Sequence, residues 1–213
     1  MLKTVSQNSE NICQFKISLN YSKPLIWRRI QVLESSTFWE FSCAIQDAMG
    51  WGGGHLHSFM FSDKKNKWQM INIMVPLPDD DEHMDRIIDE RTAKIADYFG
   101  KISQQCKYEY DFGDGWVHTI LLEKVLPIIA DQKYPKCLAG KRACPPDDCG
   151  GIGGYENLID ILKKPKHPEH KEVKEWLGLD FADDFDPEHF DPDEVDFSDP
   201  KEMLKELESF SGR

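Results

Sequence analysis

Between residues 12 and 20 apolar and polar positions alternate, with Cys13, Phe15, Ile17 and Leu19 set against Gln14, Lys16, Ser18 and Asn20. A period of two places one set on a buried face, which is the pattern of a strand. Tyr21-Ser22-Lys23-Pro24 supplies a turn, and Ile26 to Leu33 form a second strand with Ile26, Arg28, Ile30 and Val32 on one face. The spacing favours an antiparallel pair. The period then lengthens: Phe38, Phe41, Ile45 and Ala48 recur at helical spacing. Thr37 and Glu40 stand three apart, as in a capping box, and Gly50 sits where a helix ends in a left-handed residue. Residues 1–11 are polar and are expected to form a frayed start.

Beyond the flexible Trp51-Gly52-Gly53-Gly54 loop, His55 to Phe61 read as a strand with His55 and His57 on the same side. A turn at Asp63 to Asn66, a short strand around Trp68 to Val75, and an acidic surface insertion at Asp79-Asp80-Asp81-Glu82 follow. A short helix is expected around Thr92 to Tyr98. After Val125 the density of Pro and Gly predicts irregular chain as far as Gly154. Helices return at Tyr155 to Leu162, from Pro168 to Leu177, and from Asp199-Pro200 onward. Strands come early and helices late, without βαβ alternation. The expected fold is therefore α+β: a mainly antiparallel sheet with helices packed on it and a helix-rich C-terminal part. One domain is expected over 1–213, with a core at about 12–190 and an acidic extension over 191–213.

Tyr108 to Leu122 form a β-hairpin around Gly113-Asp114-Gly115. Two registers compete. A two-residue turn at Asp114-Gly115 pairs residues 113 and 116 and sets Asp111 opposite His118. A three-residue loop pairs residues 112 and 116; it places Tyr108, Tyr110, Phe112, Trp116, His118, Ile120 and Leu122 on one face and Glu109, Asp111 and Thr119 on the other. The second separates apolar from polar more cleanly and is the expected register. It makes His118 a structural residue bonded to a backbone carbonyl and keeps it away from Asp111.

The chemistry-bearing residues gather around this hairpin. His55, His57, Asp111, Asp114, Trp116 and His118 form a candidate cleft. His55 and His57 have strand spacing suited to two ligands of one metal, with His118, Asp111 or Asp114 as a third if the strands are neighbours. Two polar residues at a sheet edge is the plainer expectation, so no metal and no cofactor are expected. Cys137, Cys144 and Cys149 lack the tight knuckle of a zinc site and read as buried free thiols. Gly150, Gly151, Gly153 and Gly154 precede a helix and form a candidate anion-binding loop. They match neither the dinucleotide nor the phosphate-loop fingerprint.

Composition narrows the partners. The net charge of -12, from 26 basic and 38 acidic side chains, opposes a general nucleic-acid binder, whose affinity comes mostly from Lys and Arg on phosphates. No stretch approaches the roughly 20 apolar residues of a membrane span. Met1 to Asn11 lack the features of a signal peptide. Six cysteines in such a chain predict free thiols and a cytoplasmic location. An unknown protein or small molecule is the expected partner.

Several stretches together carry a resemblance: Pro24-Leu25-Ile26-Trp27-Arg28-Arg29, Gly50-Trp51, His55-Leu56-His57-Ser58-Phe59, and Tyr110 to His118. Cys137-Leu138-Ala139-Gly140, Cys144-Pro145-Pro146-Asp147-Asp148-Cys149-Gly150-Gly151, Gly154-Tyr155 and Trp176-Leu177 continue it. The chain resembles the plasmid ORF-3-like proteins, named after open reading frame three of a root-inducing plasmid. The resemblance covers about residues 12–190 and implies a single α+β domain, often associated with plasmids and mobile elements. Some relatives are labelled transposon passengers or resolvase-like, yet this chain has no serine-recombinase nucleophile context. The family brings no established catalytic residues. The expected role is a binding or interaction module rather than an enzyme. A metal-dependent hydrolase or nuclease using His55, His57, His118 and Asp111 or Asp114 is the alternative, and a DNA-recombination accessory protein the third.

Overall fold

The computed structural model describes residues 10–62, 70–76, 87–178 and 185–211. The polar start before residue 10, the turn at Asp63 to Asn66 and the acidic insertion at Asp79 to Glu82 lie outside the described residues. The architecture is α+β. One sheet joins β1 (Asn11–Leu19), β2 (Trp27–Leu33), β3 (His57–Ser62), β4 (Met70–Met74), β5 (Ile87–Asp89), β6 (Gln105–Tyr110), β7 (Trp116–Pro127) and β8 (Lys136–Lys141) in the order β5-β4-β3-β6-β7-β1-β2-β8. All neighbours are antiparallel except β4 and β5. The helices are α1 (Phe38–Met49), α2 (Ile95–Tyr98), α3 (Gly151–Leu162), α4 (His170–Leu177) and α5 (Pro200–Ser211).

The first strand pair and α1 follow the sequence pattern. Phe15, Ile17 and Leu19 on β1 are buried with Ile30 and Val32 on β2. Thr37 accepts from the Glu40 amide while the Glu40 carboxylate accepts from the Thr37 amide, so two of the free amides at the start of α1 are satisfied reciprocally. At the other end Gly50 takes φ +98°, a left-handed turn that a side chain would oppose. The apolar stripe of α1 lies on an aromatic sheet face: Phe41 packs on Phe15 at 4.6 Å and stacks on Phe59 at 5.7 Å. That face also holds the polar side chain Arg28, 1 % exposed. Its guanidinium donates to the carbonyls of Ala48, Trp27 and Lys141 and lies 3.8 Å from the centre of the Phe190 ring. A cation at the carbonyl end of α1 is well placed.

The hairpin differs from both expected registers. Tyr110 pairs with Trp116 and Tyr108 with His118, leaving a five-residue tip from Asp111 to Gly115. The reason is local. Asp111 adopts φ +55° and leaves the ladder, its Oδ1 accepts from the Gly113 amide at 2.9 Å, and its carbonyl accepts from Gly115. Relative to a 112–116 pairing the slip is even, so the inward face of Tyr108, Tyr110, Trp116, His118 and Ile120 survives. Only Phe112 is displaced from it, and its side chain is exposed.

Two strands interrupt regions expected to be irregular or unassigned. Lys136–Lys141 pairs with β2 through a bulge at the sheet edge, despite the surrounding Pro and Gly. Gly140 belongs there because the Phe190 ring occupies the space a Cβ would take. Ile87–Asp89 forms a three-residue strand parallel to β4. Helix α3 begins at Gly151, four residues before the expected start, so Gly151, Gly153 and Gly154 lie inside its first turn.

Candidate functional site

Three loops meet at one end of the sheet: residues 51–56 before β3, the tip 111–115 between β6 and β7, and residues 143–150 before α3. Trp51 is the centre of the junction. Its ring stacks on Tyr110 at 4.6 Å, and its indole N–H donates to the Pro145 carbonyl at 3.0 Å. The Gly52 amide donates to the Asp147 carboxylate, and the Gly150 amide to Asp114 at 3.1 Å. These bonds hold loops remote in sequence in a fixed relation, the arrangement in which rigid scaffolds present binding residues.

The three candidate histidines enter three different environments. His118 is fully buried, with Nδ1 3.3 Å from the Tyr108 carbonyl and its ring edge-on to Trp51 at 5.3 Å. Burial pushes it down to about 4, so the ring is neutral near pH 7. Its Nε2 and the indole nitrogen of Trp116 have no partner among the described residues. His57 opens β3 opposite Tyr110, and its Nε2 lies 3.0 Å from the carboxylate of Glu90, a residue with no exposure at all. Burial alone would lower His57, but the Glu90 charge and hydrogen bond, with the His55 carbonyl, raise it above the ordinary histidine value. The two buried histidines flank one ring, Tyr108, at 5.7 and 5.6 Å.

His55 stays in the loop, partly exposed. Its Nδ1 is 3.6 Å from Asp111 Oδ2 and its Nε2 is 3.7 Å from Asp148 Oδ1. His55 and His57 therefore do not converge on one point, although strand spacing would have put them side by side. Asp114 is set apart from both. Its carboxylate serves the Gly150 amide at the start of α3, so the anion at the glycine loop is the chain's own side chain. All six cysteines are free, and burial pushes Cys13, Cys43 and Cys149 up to about 12. None of these three is a thiolate at neutral pH on that account.

A cleft of about 580 Å³ opens beside these loops. Trp39 and His57 are among its lining residues, with their rings 30° from parallel at 6.4 Å. Leu56, Met74, Gly52–Gly54, and Met203 and Leu207 of α5 also line it. Helix α5 is tied down beside it: the Trp39 indole donates to the Pro200 carbonyl, and the Asp47 carboxylate accepts from the amide and hydroxyl of Ser198. Sequence reasoning missed Trp39, Glu90, Asp148 and the α5 lining. Trp39 sat beside the helical stripe and Asp148 beside a cysteine. Glu90 carries no local signal, because its partner is 33 residues away.

Residues 11–194 match the model of the family described as plasmid pRiA4b ORF-3-like protein. The uncharacterised protein y4hQ of Sinorhizobium fredii is 32% identical over 169 residues, which are 79% of this chain and 81% of that one. The crystal structure of a protein of unknown function, MM3350 from Methanosarcina mazei Go1, superposes with a TM-score of 0.78 at 40% identity, covering 88% of this chain and 99% of that one. By matched length and by identity, the chain belongs to the plasmid ORF-3-like family.

Proposed function

We propose that the protein is a binding domain, and that its ligand is a small organic molecule with a flat apolar body seated between the 52–56 loop and α5. The observation that carries this reading is the cleft lined by Trp39 and His57. Its volume is within the range of small-molecule sites, its lining is mostly apolar, and two of its lining residues carry rings that a planar group can pack against. Glu90 also borders the cleft, but it has no solvent exposure and is bonded to His57, so its part in this reading is to fix the His57 ring. A reaction centre of converging His57, His118 and Asp111 is disfavoured by the separate partners of each. The acidic charge argues against nucleic acid as partner, six unpaired cysteines suit a reducing cytoplasm, and one continuous sheet supports a single domain.

A fragment library screened by protein-observed NMR tests the proposal. The expected result is a set of planar hits whose shifts centre on Trp39, His57 and Met203. Leu56→Ala and Met203→Ala, at positions outside the core, should each weaken those hits several-fold without unfolding the chain. Hits that map only to the outer sheet face, or affinities unchanged in both variants, overturn the proposal.

A further inference from the structure

The loop junction next to the cleft contains a second site that the binding proposal does not use. We infer that His55, Asp111 and Asp148 hold a first-row divalent cation. One nitrogen of His55 and one carboxylate oxygen from each aspartate lie within 4.8 Å of one another. Ligands about 2.1 Å from a shared cation are separated by roughly 3–4 Å, so shifts of about 1 Å close the site. One imidazole with two carboxylates is a donor set for Mn²⁺ or Zn²⁺, with water in the remaining positions.

Two further features of the junction point the same way. The Asp111 side chain is 12 % exposed, and only its Oδ1 is engaged, by the Gly113 amide. Its Oδ2 faces His55 at 3.6 Å, too long for a hydrogen bond, and has no other partner among the described residues. The charge around it is also one-sided. Asp111, Asp147 and Asp148 come from the two loops that meet here, and none forms an ion pair with a lysine or arginine among the described residues. The buried Oδ1 of Asp147 has no hydrogen bond of good geometry. A cation supplies the missing positive charge.

The inference is independent of the cleft, and a failed fragment screen leaves it standing. Full-length protein is stripped with a chelator and titrated calorimetrically with Mn²⁺, then with Zn²⁺. One saturable site per chain is expected for at least one of the two. Asp111→Asn and Asp148→Asn introduce a residue type that tolerates the left-handed backbone both positions hold. The amide oxygen of the first variant would still accept from the Gly113 amide, so both variants should fold. Each should weaken binding at least tenfold, and the double variant should abolish it. Co²⁺ reports the ligand type through its absorption spectrum. Absence of saturable binding, undiminished binding in the double variant, or a Co²⁺ spectrum dominated by thiolate charge transfer would each overturn the assignment.

Discussion

His55 and His57 stand two residues apart and end in opposite surroundings. His57 begins a strand, and the ladder carries it inward to meet Glu90, whose side chain has no exposure. His55 precedes the ladder and stays at the surface between two carboxylates. The first is a buried pair held by one short contact, with His57 Nδ1 and Glu90 Oε1 left without a partner among the described residues. The second is an open arrangement, with separations too long for hydrogen bonds and an excess of negative charge. The contrast separates a structural histidine–carboxylate pair from one that has room for a ligand. Spacing alone does not make that distinction, since both residues offer the same ring.

The largest effect expected from this contrast lies on the buried side. His57→Ala leaves the Glu90 carboxylate buried without its counter-charge, and breaking a buried pair in this way costs on the order of 3–5 kcal/mol. Urea unfolding monitored by tryptophan fluorescence measures it. The double variant His57→Ala/Glu90→Gln removes the stranded charge and should recover part of the loss. A single-variant loss below about 1 kcal/mol would show that the pair is not structural and would end the comparison.

How far the chain could be read in advance follows the same division. Elements set by local periodicity were legible: the β1–β2 pair, the capped α1, the inward set Tyr108, Tyr110, Trp116 and His118, and even Arg28 on a buried face. The hairpin register was not, because it depends on Asp111 turning left-handed, which alternation does not encode. β8 was hidden by averaging over nearby Pro and Gly, although a bulged edge strand tolerates both. The candidate site was half legible. His55 and Asp111 were singled out, but Asp148 and Glu90 reach their partners across 93 and 33 residues, and no local pattern marks such a contact.

Next in size is an effect of pH on the two buried histidines, which differ in sign. His118 falls from an ordinary 6.5 to about 4, so its neutral ring favours the fold above pH 6.5. That contribution is lost as pH drops from 6.5 towards 4, amounting to about 3 kcal/mol over the interval. His57 is raised above 6.5, so its contribution is complete below 6.5 and is lost as pH rises through its folded value. NMR titration of the ring protons separates the two. His118 should remain neutral at pH 5.5, while His57 should lose its proton only above the ordinary histidine value. Protonation of His118 above pH 6 would mean that its aromatic surroundings admit water.

The smallest effect is expected on the open side. Asp148 is largely exposed, and its contact with His55 is 3.7 Å long. Exposed pairs of this kind contribute little, and asparagine accepts the left-handed backbone at this position. In the presence of a chelator, Asp148→Asn should therefore change stability by no more than about 0.5 kcal/mol. Thermal melts in chelator and in saturating Mn²⁺ or Zn²⁺ make the test specific. Whichever cation binds should raise the melting temperature of the parent chain and leave that of the variant nearly unchanged, because a ligand stabilises only the fold that binds it. A loss above about 1 kcal/mol in chelator would show instead that Asp148 maintains the loop junction itself, placing His55 among the structural histidines beside His57.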